Sequence, residues 1–597
     1  MSAYSSPRNI PPAAIPQGAH TVPATHSAPA AHFRHWPPQL ARHLTLPQTN
    51  LCFNMEVSAT RFPDKPFTVY YDSILTHGEF RRQVEAMAGY LQQVCGVAAG
   101  DRVLLCLQNS PQWAVAFYAV LRANAVVVPV NPMNRTEELR HCAQDSGARV
   151  AITAQDLLPE FEPLLQELPH TVVATYSDYL TTPTDLRVPD VVAVPRQPLH
   201  HPALHGWMDA LARQLAPGPL TAGPDDLCVM PYTSGTTGAP KGCMHTHRTV
   251  MSTLVGGVQW FGRNHDTVYL SVLPYFHVTG LSGGLNGPLY LGATTVILSR
   301  WDRDVAARCI ERHRINVWQA ISTMVVDFMA NPDVTRYDLS SLNGLRGGGA
   351  AMPEAVGDQL KALTGLDYVE GYGMTETMAA THINPPQRPK RQCLGIPVFD
   401  VDARIIDPAT LEVLPPGETG EIVLSGPQVM LGYWGQPEAT AAAFIELEGQ
   451  RFLRTGDLGR VDEDGYFFMT DRLKRMVNAS GYKVWPAEVE NLLYQHPAIQ
   501  EACVIGARDS HRGETVKALV VLRRSFVGQV QPEDIAAWAR EHMAVYKAPR
   551  LVELVESLPK SPSGKIMWRQ LQEREYAAEA FTPTSTPTPT PASSPTA

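Results

Sequence analysis

Cys228-Val229-Met230-Pro231-Tyr232-Thr233-Ser234-Gly235-Thr236-Thr237-Gly238-Ala239-Pro240-Lys241-Gly242 reads as a short buried strand running directly into a loop of glycine and hydroxyl residues that ends on a lysine. Glycines let successive backbone N–H groups turn toward an anion, and the threonines and serine add hydroxyl donors. Lys241 supplies a point charge. Flexibility alone does not call for so unbroken a run, so the segment is read as a phosphate loop rather than a plain surface turn. It differs from the Walker pattern because Gly242, not Ser or Thr, follows the lysine, which disfavours a P-loop ATPase. A strand feeding an anion-binding loop is an α/β arrangement.

The flanking chain carries the same texture. Short apolar runs at Val103 to Leu107, Val268 to Leu273 and Tyr368 to Val369 alternate with helical patterns and glycine-rich turns, which predicts layered α/β structure. From Val401 the runs Glu421 to Leu424 and Tyr466 to Thr470 are separated by Pro415-Pro416-Gly417-Glu418 and Asp462-Glu463-Asp464-Gly465, predicting a β-rich subdomain. After Asp471 a compact α+β unit is expected: a helix opened by Pro486, a strand over Ala502 to Ile505, another over Thr515 to Leu522, a helix over Pro532 to Met543 and a last strand over Leu551 to Val555. The expected division is an unpacked extension over 1–50, a large N-terminal domain over 51–473, a small mobile domain over 474–577 and an unpacked tail over 578–597. Both ends are too rich in Pro with Ala, His, Thr or Ser to bury apolar surface. The acid-poor start also permits a transit peptide, against which its repeated prolines speak.

The 597 residues are 44% apolar, enough for more than one cored domain. A net charge of −9 offers no global attraction for nucleic acid or anionic lipid, so an anionic substrate must be drawn by local groups. Nine scattered cysteines without a Cys-x-x-Cys pair predict reduced core thiols in a reducing compartment, the cytoplasm. The longest apolar stretch, Ala114 to Val130, is broken by Arg122, Asn124 and Pro129, so no membrane span is expected.

Six more motifs follow in order: Pro274-Tyr275-Phe276-His277, Arg346-Gly347-Gly348-Gly349-Ala350-Ala351, Gly371-Tyr372-Gly373-Met374-Thr375-Glu376-Thr377, Thr455-Gly456-Asp457, Asp471-Arg472-Leu473-Lys474 and Ser563-Gly564-Lys565. With the glycine-rich loop they occur in the order found in the adenylate-forming superfamily of acyl-CoA synthetases, luciferases and peptide-synthetase adenylation domains, which residues 50–577 resemble. The resemblance implies MgATP and coenzyme A as co-substrates. It also implies two reactions: a carboxylate and ATP give acyl-AMP and pyrophosphate, then the CoA thiolate displaces AMP.

What the resemblance implies for each residue sits beside what its chemistry allows. Thr233, Ser234, Gly235, Thr236, Thr237, Gly238 and Lys241 would hold the phosphates. Glu376 would hold Mg2+ and Thr375 would donate to the α-phosphate; alone, such a glutamate more often starts a helix. Adenine would lie against Gly349, Ala350 and Ala351 and the Glu370-Gly371-Tyr372 strand, with the Tyr372 ring as a stacking face. Asp457, an acceptor-only carboxylate, would take both ribose hydroxyls, and Arg472 would add a fixed cation. Lys565 sits in a Gly/Ser loop, where composition alone predicts a solvated lysine. The resemblance instead gives it the adenylation step, in which a cation offsets repulsion between carboxylate and α-phosphate. Ser480 and Gly481 would flank the pantetheine arm, and Lys474 occupies the hinge position about which the small domain would turn between half-reactions.

His277 would flank the acyl pocket, and Gly280 and Gly284 either clear space for an acyl chain or allow close helix packing. No Arg or Lys lies between Val278 and Leu291, which favours an apolar acid over a dicarboxylate or amino acid. Medium or long aliphatic acids are the first expectation and aromatic acids such as cinnamates the second. A carrier-protein acceptor in place of CoA, and a nucleotide-binding scaffold without catalysis, are the competing readings. His200, His201 and His205 have metal-like spacing in a Pro-rich loop but are not expected to bind metal. A homodimer is also left open.

Overall fold

The computed structural model describes residues 31–233, 240–349, 352–472, 475, 477–479, 482–484, 486–509, 513–560 and 566–580. Two large sheets build the N-terminal part, one of nine strands and one of seven. In the first, Val268–Ser271, Val317–Gln319, Gly344–Gly348 and Tyr368–Met374 are parallel neighbours. In the second, Val150–Ala154, Arg102–Cys106, Val126–Pro129 and Leu227–Val229 are parallel neighbours. Parallel sheets must be covered on both faces, which explains strands such as Val126–Pro129 that are buried along their whole length.

The helix Pro111–Arg122 shows how sequence selects position. Every residue from Pro111 to Leu121 is buried, and an all-round apolar helix belongs inside a large core. Pro111 starts it, and the Ser110 hydroxyl accepts the Trp113 N–H at 3.2 Å. The apolar stretch from Ala114 is thus a core helix followed by a core strand. No helix among the described residues is long and apolar enough to cross a membrane.

From Asp402 a five-stranded sheet forms the β-rich part, centred on Gly420–Ser425 and the long strand Gln450–Val461. A separate five-stranded sheet, dominated by the antiparallel pair Ile499–Asp509 and Gly513–Leu522, carries the helices Pro486–Leu493 and Pro532–His542. It has its own core, with Val489, Leu493, Val504 and Ile535 fully buried. The expected class, a layered α/β domain with a β-rich end and a smaller α+β domain, is the architecture observed. All nine cysteines are buried and unbonded to one another.

The expected unpacked extension fails from Ala31 onward. Trp36 meets Trp260 and Phe399 edge-to-face at 4.9 and 5.2 Å, and those two rings meet each other at 5.7 Å. His35 Nε2 lies 3.1 Å from Asp464, and Asp400 accepts the Leu44 N–H at 2.9 Å. One tryptophan in a receptive aromatic pocket buries more apolar area than a composition average registers, so a Pro-rich segment is anchored by a few residues. Residues 1–30 and the Thr582 to Ala597 repeat lie outside the described residues.

Trp36→Ala is expected to release this strap and speed tryptic cleavage at Arg42. Losing about 2 kcal/mol of ring packing corresponds to roughly 30-fold when opening is fast relative to cleavage. Trp36→Phe should stay near wild type, as read by intact mass over a digestion time course.

Candidate active site

A cavity of about 780 Å³ opens where the parallel strands of the nine-stranded sheet end, with Gln319, Gly347, Gly348 and Tyr372 in its wall. Ligands in open α/β sheets collect at such carboxyl ends. Four structural devices shape it.

The first is the foot of the glycine-rich loop. Tyr232 and Gly242 form an isolated bridge, the Thr233 N–H donates to the Lys241 carbonyl at 3.0 Å, and the Thr233 hydroxyl accepts the Lys241 N–H at 3.2 Å. The loop is thereby closed at its base, with Thr233 and Lys241 both facing the cavity. Ser234, Gly235, Thr236, Thr237 and Gly238 lie outside the described residues.

The second is the Thr375–Thr377 turn that follows Tyr368–Met374. It is held from below: buried His245 donates from Nε2 to the Thr375 carbonyl at 2.8 Å, and the Met430 N–H donates to the Glu376 carbonyl at 2.8 Å. Glu376 Oε1 accepts the Tyr433 hydroxyl at 2.9 Å, and the Lys241 ammonium stands 4.8 Å from the Tyr433 ring centroid. Tyr433 thus links the loop lysine to the turn carboxylate, a role that nothing local in Leu431-Gly432-Tyr433-Trp434 signals.

The third joins the β-rich part to the sheet. The Tyr372 hydroxyl donates to Asp457 Oδ2 at 2.7 Å, at a site where Asp457 is 3% exposed. Asp457 is presented by the Gly456 turn, whose φ of +68° favours glycine. Buried Glu421 braces that turn, accepting from Arg454 Nη2 at 2.5 Å and from the Gly456 N–H at 3.1 Å. Arg472 pairs in register with Asp457 on the neighbouring strand.

The fourth is the wall after His277, which caps the short helix Val278–Gly280 by accepting the Thr279 N–H. Here two expectations are corrected. Gly280 and Gly284 do not face the cavity: β-carbons there would sit 2.2 Å from the Pro274 carbonyl oxygen and 2.3 Å from the Ser271 hydroxyl. Close packing is what these glycines serve; Gly283 and Gly287 line the cavity instead, Gly283 being packed so that a β-carbon would lie 1.9 Å from Gln319 Oε1. Glu370 is also corrected. Strand alternation turns Val369 and Gly371 to the cavity and Glu370 away, where its carboxylate accepts the Met352 and Cys393 N–H groups at 2.6 and 3.0 Å. Gly349, at the end of Gly344–Gly348, lines the cavity with φ +87°. Ala350, Ala351, Lys474, Ser480, Gly481 and Lys565 lie outside the described residues.

Residues 55–434 match the AMP-binding enzyme family, and residues 488–565 match the AMP-binding enzyme C-terminal domain. The chain belongs to the AMP-binding enzyme family. It is 35% identical over 554 residues to a long-chain-fatty-acid–CoA ligase of Bacillus subtilis strain 168, covering 90% of this chain and 97% of that one. A feruloyl-CoA synthase of an Amycolatopsis species is 36% identical over 502 residues, covering 84% and 94%. ATP-bound MatB from Rhodopseudomonas palustris superposes with a TM-score of 0.76 at 26% identity, covering 88% of this chain and 99% of that one. This AMP-binding enzyme is therefore an acyl-CoA ligase of the adenylate-forming family, with the family's large N-terminal and smaller C-terminal domains.

Sequence reasoning missed a cation in this enzyme's cavity. Val278 to Leu291 is free of Arg and Lys as read, but Arg346 enters from Gly344–Gly348, in register with Gln319 and Val369. Its guanidinium lies 4.3 Å from the Phe261 ring centroid, and burial lowers its pKa to about 10, so it stays charged near neutrality. Arg346 Nε and Gln319 Oε1 are buried without a hydrogen-bond partner among the described residues. His205 hydrogen-bonds the Tyr90 hydroxyl at 2.8 Å and His170 at 3.1 Å, and it groups with Cys95 and His170, whose ligand atoms lie within 4.8 Å of one another, rather than with His200 and His201.

Burial lowers His245 from 6.5 to about 4, and His77 and His247 to about 4 as well. The unfolded chain takes up protons on these rings near pH 6.5 while the folded protein does not. The unfolded state therefore binds more protons between those values, and stability is full above about pH 6.5 and falls as pH drops toward 4. The thermal midpoint is expected to fall across that window, and less steeply in His245→Gln, which keeps a donor for the Thr375 carbonyl but cannot titrate.

Proposed function

We propose that this ligase joins a carboxylic acid of apolar body to ATP as acyl-AMP, releasing pyrophosphate, and then lets the CoA thiolate attack the activated carbonyl as AMP leaves. The observation that carries the reading is a single cavity. Its wall combines Thr233 and Lys241, Glu376, Asp457 with Tyr372, and an arm of apolar residues including Val369, Ile383 and Phe399. Anion-binding, ribose-accepting and apolar surfaces are thus continuous, as joining an apolar acid to a nucleotide requires.

In this reading Thr233, Lys241 and the rest of the loop bind the phosphates, and Thr375 donates to the α-phosphate. Asp457 accepts the ribose hydroxyls, oriented by the Tyr372 hydroxyl, and Gly347 to Gly349 let the adenine approach backbone. The Glu376 carboxylate, at a cavity able to admit phosphates, suits Mg2+, which takes one or two carboxylates and fills its shell with water and phosphate oxygens; bound there, it would neutralise phosphate charge. Arg472 adds a cation near the ribose, and Lys565 offsets the repulsion between the acid and the α-phosphate as they meet. No side-chain nucleophile is needed. Ser480 and Gly481 would serve the thiol, so a turn of the small domain about Lys474 would exchange the Lys565 loop for the Gly481 turn between steps.

Medium- or long-chain fatty acids fit best, supported by the apolar arm and by the name of the Bacillus subtilis relative. A second reading rests on Arg346 and Gln319: an aromatic acid carrying a hydroxyl would satisfy both unpartnered atoms, and the Amycolatopsis relative is named for such an acid.

Incubation with ATP, CoA and saturated acids of graded length, alongside cinnamates, should give acid-dependent pyrophosphate release and a CoA thioester by mass. Pyrophosphate release without thioester, restored by a carrier protein, would move the acceptor from CoA. Lys565→Ala should slow acyl-AMP formation about 10²- to 10³-fold while sparing thioester formation from supplied acyl-AMP. Lys474→Pro should slow one half-reaction far more than the other; equal loss of both would count against alternation.

A further inference from the structure

The strap that sequence reading expected to be unpacked reaches the cavity. Leu44 stands in the cavity wall beside Gly256, Phe261, Val398 and Phe399. These neighbours are apolar: Leu44, Phe261, Val398 and Phe399 pack in one hydrophobic cluster with Trp260, Val369 and Ile383. A β-carbon on Gly256 would lie 3.3 Å from Leu44 Cδ1 and 3.4 Å from Phe399 Cδ2, so Leu44 is seated directly on the helix His247–Trp260. One residue on, a β-carbon at Gly257 would meet no atom within 4 Å, and Gly257 also lines the cavity. Paired glycines weaken a helix interior, and here one admits the strap while the other leaves open space beside it.

The strap is fixed on both sides of Leu44. Asp400 accepts the Leu44 N–H at 2.9 Å and contacts His43 Nδ1 at 2.6 Å. Upstream, Trp36 is set between Trp260 and Phe399, so it buttresses a cavity residue from behind. His35 is held by Asp464 at 3.1 Å, by Arg388 at 3.0 Å and through its carbonyl by Gln387 at 3.0 Å. The family match begins at residue 55, downstream of this segment.

We propose that Leu44, held in place by the strap of residues 31–46, forms an end wall of the acid-binding part of the cavity and sets the length of acid the enzyme accepts. The proposal rests on the reading above that the apolar arm receives the acid. A packed wall discriminates by methylene, because each further carbon must displace a side chain rather than water.

The test compares the full-length protein with Leu44→Ala and Leu44→Trp, measuring kcat/KM for CoA-thioester formation across saturated acids of graded length. Leu44→Ala should move the optimum to longer acids, with about a fourfold gain for each methylene the cleared space accepts. Leu44→Trp should move it to shorter acids, with a loss of at least about tenfold for the longest acid used by wild type. The KM for ATP should be the same in all three. An unchanged length profile in both variants, with thioester still made, overturns the strap's role and leaves the ligase reading standing. A change in the KM for ATP alone would also overturn it, placing Leu44 on the nucleotide side. If wild type makes no acyl-CoA from any saturated acid but does from an aromatic one, the aliphatic reading fails, and the same variants on aryl acids of graded side-chain length decide the strap.

Discussion

A β-carbon at Gly348 would lie 2.2 Å from the Gly371 carbonyl oxygen, and one at Gly347 would lie 1.8 Å from the Ala320 carbonyl oxygen. The strands Val317–Gln319, Gly344–Gly348 and Tyr368–Met374 can stand in this register only if that run carries no side chains. Everything else at the site depends on this approach. It brings Gln319 and Arg346 side by side, presents bare backbone in the cavity wall, and fixes where Tyr372 and the Thr375–Thr377 turn begin. A single methyl in this run would push the neighbouring strand away and shift each of those groups.

Around that fixed register the enzyme spends its buried polar groups in two ways. Glu421 with Arg454, Glu370 with two backbone N–H groups, and His245 with the Thr375 carbonyl are satisfied internally and hold strands and turns in place. Arg346 Nε and Gln319 Oε1 are buried at the cavity with no such partner among the described residues. Unmet hydrogen-bonding capacity costs free energy in a dry interior, so the scaffold is polar where it must be rigid and leaves capacity open beside the candidate-site cavity. The aromatic cluster of Trp36, Trp260 and Phe399 plays the matching apolar part, tying an upstream segment to the same region.

The candidate site was legible where chemistry is local. Thr233, Lys241, Tyr372, Thr375, Glu376 and Asp457 were named from motifs, and all of them line one cavity. The misreadings share a cause. Glu370 was grouped with its neighbours, yet strand alternation sends it to the opposite face. Gly280 and Gly284 were given a share in the pocket, yet helix rotation gives that place to Gly283 and Gly287. Arg346 lies inside a named motif, but its charge reaches the cavity from the strand Gly344–Gly348 rather than from the segment after His277.

Sequence alone determined the class of fold, the two cored domains, the reduced cysteines and the set of motifs, because these follow from periodicity, turn chemistry and residue type over short windows. Tertiary structure alone decided which glycines border the void, which carboxylates bind backbone, that Tyr433 joins Lys241 to Glu376, and that Leu44 lines the same cavity as Gly256 and Phe399, which are distant in the chain. The physical reason is that direction and partnership are properties of neighbours in space. A residue's chemistry is written in its own letter, but the face it presents and the group it meets are set by strands and helices that the chain brings alongside only when folded.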